Sequence, residues 1–416
     1  MSVTKEQVAA VMARLAADPK IQAALAFLDN DENAAFEELK EMVVVPGPTF
    51  LEQEKRTPMY KAKLERYGVD SCHVDGIGNV IGYVNGSAPR PKVMFDAHMD
   101  TVFPMDEPLE VKEKDGRYNC PGMSDDTAGL AMNLSILRAI RHAGLKPVGR
   151  LMITGTVRHE GEGDLQGMKS LFGEDKEIDV CFCAETLSKP GAIINTAIGV
   201  FRYEIIFKGP GGHSWLDFGR PSPIQALCRA GAALSEFVPP TDPKTSFNLG
   251  TVTGGTTVNS IPGECRAKLD IRSVSADVLV KTDARIKKLF HDAVAAENAR
   301  WQGEPVTVEF VKIGDRPAGH APEDSPIVQV LWQATEVVGV RPMYWPPLGS
   351  NANIPMSMGI PALGFGGGGI GGNLHSREEW YSPEYSAKHA ARLLLAVFAM
   401  AGLEGVTDPL AVPLER

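Results

Sequence analysis

Short apolar runs alternate with helix-period segments over the first half of the chain, a pattern that predicts an α/β sheet. Residues 4–28 and 32–43 carry the helical period, and a third helix is predicted over 55–67, ending near Gly68. GNVIGYVNG (78–86) reads as a strand running into an Asn-Gly turn. PKVMFDAHMDTV (91–102) is an apolar strand with a polar end. DTAGLAMNLSILRAIRHA (126–143) is an amphipathic helix stopped by Gly144. GRLMITGTV (149–157) and DVCFCAE (179–185) read as further buried strands.

Near Gly199 the pattern changes. FRYEIIFKG (201–209), FNLGTVTGG (247–255), CRAKLDIRSV (265–274) and PVTVEFVKI (305–313) are strands, with helices at about 223–236 and 276–299. Four strands and two helices make a small α+β unit over 199–312. It is inserted into a discontinuous α/β domain formed by 1–198 and 313–416. The glycine run GFGGGGIGG (364–372) formally contains GxGxxG, but no helix follows it and no acid sits ~20 residues on. Close backbone approach in a loop accounts for it better.

The chain has 416 residues, 44% of them hydrophobic and 23% charged, which fits a globular protein with a sizeable core. A net charge of −10 argues against nucleic acid or an anionic membrane as partner. No apolar run reaches the ~20 residues of a membrane span, and the amphipathic N-terminal segment is not read as a signal peptide. Cys72, Cys120, Cys181, Cys183, Cys228 and Cys265 show no paired spacing and read as core thiols in a reducing cytoplasm.

Five segments place metal-type ligands at strand ends or in loops. In FDAHMDTV, His98 closes a strand and Asp100, on the same side, can hold its second ring nitrogen. A strand-end histidine beside a solvated acid is the competing reading. In GMSDDTAGLAM the adjacent Asp125 and Asp126 sit where a loop becomes a helix, so one of them fits an N-cap. TVRHEGEGDLQGM crowds His159, Glu160, Glu162 and Asp164 into one loop, which a solvated charge run also explains. Glu185 ends an apolar strand, where an unpaired carboxylate is costly. His375 lies in the glycine loop GGNLHSREEWY.

Taken in order, HMDTV, SDDTAG, HEGEGDLQG, the CAET strand end, GPGGHSW, NSIP, DIR, GSNANIP and GGNLHSREEW span nearly the whole chain. The chain resembles the dinuclear metallopeptidase family of peptidase T, carboxypeptidase G, acetylornithine deacetylase and succinyl-diaminopimelate desuccinylase. The resemblance implies a phosphorylase/hydrolase-like catalytic domain with a mixed sheet between helices, plus an inserted lid and dimerisation domain. It implies two divalent ions, Mn²⁺ or Zn²⁺ with Co²⁺ as a further candidate. Their ligands would be His98, Asp125, Glu160, Glu185 and His375, with Asp125 bridging. It also implies a homodimer in which His213 of GGHS completes the partner's site. Asn259 and Arg272 would line the substrate, Arg272 as a bidentate clamp on a carboxylate. An exposed strand residue is the alternative for Arg272.

Two departures bear on function. The family's catalytic loop has two adjacent glutamates, the first a general base; here His159 stands in the base slot and Glu160 in the ligand slot. An imidazole, with an ordinary pKa of ~6.5, can act as a base near neutrality. His159 is therefore read as base, as an orienting or substrate-contacting group, or as the mark of an inactive paralogue. At 351 the family often has Asp, whereas this chain has Asn351, read as a substrate contact. Both changes remove an acid that could pair with a substrate ammonium. Trp215, Phe218, Trp345, Trp380 and Tyr381 lie near the motifs, as core residues or as stacking partners. The expected activity is hydrolysis of a C–N bond, amide or amine, in a small carboxylate, with deamination of a 5-nitroanthranilate-type aromatic amine as the specific case. A di-/tripeptidase or N-acyl amino acid deacylase is the alternative, and a non-catalytic binding protein is the alternative of another class.

Overall fold

The structure is a computed structural model and describes residues 3–415. It divides into two compact units, one of residues 1–197 with 320–416, the other of residues 198–319.

The larger unit is built on an eight-stranded mixed sheet. In spatial order its strands are Ser71–Val74, Val80–Val84, Arg150–Thr156, Lys92–His98, Ile178–Glu185, Ala362–Gly366, Ala192–Ile194 and Met343–Tyr344. The four central strands, from Arg150–Thr156 to Ala362–Gly366, run parallel. All seven residues of Lys92–His98 are buried, as expected for a strand covered on both faces. Helices Pro19–Val43, Ala128–His142 and Ser386–Ala401 pack on one another, and the latter two also lie against Lys92–His98. The parallel order aims the carboxyl ends of four strands at one edge, where ligands of open α/β sheets bind.

The smaller unit has the expected four strands and two helices. Thr245–Gly254, Glu264–Ser273, Gly199–Lys208 and Thr307–Arg316 form an antiparallel sheet in that order. Helices Pro223–Ser235 and Ala276–Asn298 cover it, enclosing Tyr203, Ile205, Phe207, Leu269, Ile271 and Phe290.

The structure departs from the sequence reading in three places. The N-terminal helices are Lys5–Ala17 and Pro19–Val43, so the break falls at 18 and not at 29–31. Asp18 caps the second helix through Lys20 and Ile21, and Pro19 sits at its first position. The last strand of the small unit runs through Gly314 to Arg316, past the expected strand end at 313, and the unit itself ends at 319 and not at 312. Gly314 pairs with Arg202, whose side-chain carbons lie over it, so this glycine is a site of close packing and not a strand end. All six cysteines are free thiols, but Cys228 is exposed and Cys72 half-buried, so the core reading holds for four. Among the described residues no helix is long and apolar enough to cross a membrane.

Candidate metal centre

Two strand ends and three loops converge at the carboxyl edge of the parallel strands. His98 is the last residue of its strand, and Glu185 the last of its own. Glu160 follows Arg150–Thr156 by one short loop. Asp125 lies in the turn Met123–Thr127 that leads into helix Ala128–His142. His375 follows the glycine run, and two of those glycines explain the run. A Cβ on Gly371 would meet Ser124 Oγ at 1.7 Å, and one on Gly368 would meet Ala128 O at 2.3 Å. The backbone of 366–372 therefore lies directly on the turn that carries Asp125.

Asp125 offers one oxygen to each of two imidazoles. Its Oδ1 lies 3.0 Å from His98 Nε2, and its Oδ2 lies 3.2 Å from His375 Nε2. Glu160 Oε1 is 3.0 Å from the same His375 nitrogen. Two groups of ligand atoms lie within 4.8 Å of one another: Asp125, Glu160 and His375, and His98, His159 and Glu160. Glu185 joins neither group, but its charge is felt from both sides; burial first, then Asp125 and Glu160, push its carboxyl well above the usual range. Of the acid pair, Asp126 turns away and its Oδ2 accepts the His98 N–H at 3.2 Å.

The electrostatics attract positive charge. Burial opposes ionisation of Asp125, yet His375 and His98 hold it well below the ordinary carboxylate range. Burial likewise disfavours the charged form of His98, but Asp100 and Asp125 outweigh it and raise its pKa well above 6.5. Hydrogen bonds to Asp125 and Glu160 push His375 up to about 10. Imidazole nitrogens and carboxylate oxygens in this number and spacing fit a divalent ion of the zinc or manganese type.

Asp100 works differently from the sequence expectation. His98 Nδ1 donates to its backbone carbonyl at 3.0 Å, while its carboxylate lies 3.5 Å away. That carboxylate instead accepts the N–H groups of His159 (2.9 Å) and Glu160 (2.8 Å) and the hydroxyl of Thr49 (2.9 Å). It thus sets the backbone of the loop that carries both residues. The His159 ring stacks on His98 with centroids 4.1 Å apart and planes 9° from parallel.

Asn351 is not placed as a substrate contact. It is 2% exposed, and its amide lies between His159, Asp96 and Thr156. Glu379, which the sequence reading did not single out, accepts the N–H groups of Gly122, Ser124 and Asp125 at 3.0, 2.8 and 3.1 Å. It ties the His375 loop to the Asp125 turn. Its HxxxE spacing from His375 was the available signal. Glu379→Ala leaves three buried N–H donors without this acceptor. It is expected to weaken metal binding about 10–100-fold, read by metal titration of the folded variant; unchanged affinity would remove Glu379 from the support of the site.

The smaller unit holds the remaining residues of interest. His213 lies in the short strand Gly212–His213, paired with Ser260–Ile261. Asn259 O accepts the Ser214 N–H at 3.0 Å, so His213 and Asn259 are on neighbouring segments. Arg272 already has a carboxylate: its guanidinium binds both oxygens of Asp270 at 2.7 and 3.3 Å, and Asp270 is shared with Arg202. Trp215 and Phe218 are exposed. Three aromatics of the larger unit serve packing: Trp345 on Leu187, Ala192 and Ile194, Trp380 under Arg117, and Tyr381 with its hydroxyl donating to Gly368 O.

An α/β sheet whose parallel strand ends gather these imidazoles and carboxylates is the frame of a metal-dependent hydrolase acting on C–N bonds. The chain belongs to the peptidase family M20/M25/M40, whose family model matches residues 94–399. It is 33% identical to the uncharacterized protein YgeY of Escherichia coli K12 over 128 residues, 29% of this chain and 31% of that protein. Its fold is similar to that of aminopeptidase PepT from Bacillus cereus (TM-score 0.72, 23% identity, 88% of this chain and 98% of that one). It is also similar to Bacillus subtilis YxeP, described as a dinuclear metal-binding peptidase of the M20 family (TM-score 0.67, 16% identity, 89% and 98%).

Proposed function

We propose that the chain hydrolyses an amide or amine C–N bond in a small carboxylate-bearing substrate. It would do so at two divalent ions held by His98, Asp125, Glu160, Glu185 and His375. The observation that carries this reading is the division of the Asp125 carboxylate between two imidazoles, an arrangement that would suit a carboxylate shared by two ions. When bound, the ions lower the pKa of a coordinated water toward ~7 and polarise the group under attack. His159 would accept a proton on a ring nitrogen from the attacking water and return it to the departing nitrogen. Asp100 fixes the backbone that presents His159 and Glu160.

The native metal is proposed to be manganese or zinc. Chelation is expected to abolish turnover, with Mn²⁺, Zn²⁺ or Co²⁺ restoring it; full activity of a chelated, metal-free protein would refute the reading.

The substrate is proposed from the base slot. His159 leaves one acid fewer to pair with a substrate ammonium; buried Asn351 no longer bears on that point. Deamination of a 5-nitroanthranilate-type aromatic amine is one specific case within this reading, with peptide hydrolysis as well supported. The tripeptidase and di-peptidase names of two solved structures of similar fold support di- and tripeptides as the second reading. Metal-loaded protein incubated with 5-nitroanthranilate, N-acyl amino acids and dipeptides, with release of ammonia or amine measured, separates them. Rapid dipeptide cleavage without turnover of the aromatic amine selects the peptidase.

A homodimer through the smaller unit belongs to the same proposal. Its support is the exposed loop of Trp215, Leu216 and Phe218 beside His213, 83%, 79% and 77% exposed. His213 Nδ1 accepts the N–H groups of Trp215 and Leu216 at 3.2 and 3.3 Å. Its proton is therefore on Nε2, as a donor to a developing oxyanion requires. A chain with His213→Ala mixed with one carrying a metal-ligand substitution is expected to recover activity neither has alone; a fully active monomer would overturn the dimer.

A further inference from the structure

We propose that Asn351 is a positioning residue that holds the His159 proton on Nδ1 and so leaves the lone pair on Nε2. The inference rests on the reading of His159 as the catalytic imidazole. Its starting point is that the two positions where the chain departs from the resembled pattern touch each other: Asn351 Oδ1 lies 2.9 Å from His159 Nδ1.

The orientation of the amide follows from its other end. That end is 2.6 Å from Asp96 Oδ2 and 2.8 Å from Thr156 Oγ. Thr156 spends its only hydroxyl hydrogen on Asp96 at 3.2 Å, so its oxygen accepts from Asn351. Asp96 also accepts from Thr154 at 2.6 Å. Two acceptors therefore face this end, and only the NH₂ group satisfies both. A flipped amide would set its oxygen against a buried carboxylate. The end facing His159 is thus the carbonyl oxygen, which can only accept, and Nδ1 must carry the hydrogen.

The consequence is chemical. A ring nitrogen of His159 lies within 4.8 Å of the ligand atoms of His98 and Glu160. With Nδ1 committed to Asn351, the basic nitrogen is Nε2. Asn351, Asp96, Thr154 and Thr156 thus do for His159 what an orienting carboxylate does in a catalytic triad.

The test is ¹⁵N-histidine NMR of the zinc-loaded protein at pH 8, with His159 identified by the signal that His159→Gln removes. Two-bond couplings to the ring hydrogens report which nitrogen carries the proton. The expected pattern is Nδ1–H. An Nε2–H pattern overturns the proposal, and this spectrum needs no variant at 351. Asn351→Leu is expected to lose the fixed Nδ1–H pattern and to lower kcat about 10–100-fold, with KM and metal content little changed. An unchanged tautomer in that variant also overturns the proposal. The spectrum is independent of turnover, so a failed hydrolase reading and a failed tautomer assignment give different results.

Discussion

Asp125→Ala is expected to lose both metal ions and all turnover, while the chain still folds. The carboxylate gives one oxygen to His98 and the other to His375. Without it the two imidazoles, one at a strand end and one in a loop, keep their places but share only Glu160. The turn itself does not depend on this side chain. Its backbone is held by Glu379, and Thr127 Oγ donates to Gly122 O at 2.6 Å. Two measurements check the expectation. Metal analysis after dialysis should fall to background. Thermal unfolding should no longer shift with added metal, whereas the unsubstituted protein gains about 2.7 kcal/mol when free metal is 100 times its Kd. Asp125→Asn is the finer version, since one oxygen remains and the bridge cannot form. A stoichiometric metal content with normal turnover in either variant would take Asp125 out of the centre.

The residues that the structure brings together at this centre were legible because each stands at a chain position with a local signature. His98 ends a buried strand, and a polar group there needs a reason. The residues that hold them carry no such signature. Asn351 reaches His159 across 192 positions of sequence, and Glu379 reaches Asp125 across 254. Their hydrogen bonds exist only because separate loops converge at one edge of the sheet. Arg56 is similar: fully buried, it binds Val45 O, Met99 O and Thr127 Oγ and clamps three segments behind the site. From the sequence it reads as one more charged residue on a polar helix. The helix break at Asp18 was legible, since an Asp-Pro step is a strong start signal. A continuous apolar period across it favoured the longer helix. Gly314 lies one residue past the expected strand end, and a strand glycine can mark close packing as readily as an end.

His159 carries the second large effect. His159→Gln keeps a polar side chain of comparable reach but cannot accept and return a proton near neutrality. A general base contributes about 10²–10⁴ in rate, so kcat should fall by that factor. The ion held at Asp125, Glu160 and His375 should stay bound, because that group does not include residue 159, whereas the group of His98, His159 and Glu160 does. The backbone N–H of residue 159 still reaches Asp100, so the Glu160 loop keeps its anchor. The loss should therefore appear in kcat with metal bound, which separates it from the Asp125 result. His159→Glu asks what the slot decides. A carboxylate there restores a base and adds the negative charge that can pair with a substrate ammonium. Dipeptide hydrolysis should rise relative to the unsubstituted protein, and turnover of neutral or aromatic amines should fall. If His159→Gln turns over at the original rate, the proton is handled elsewhere, with Glu162 on the same loop the next residue to substitute.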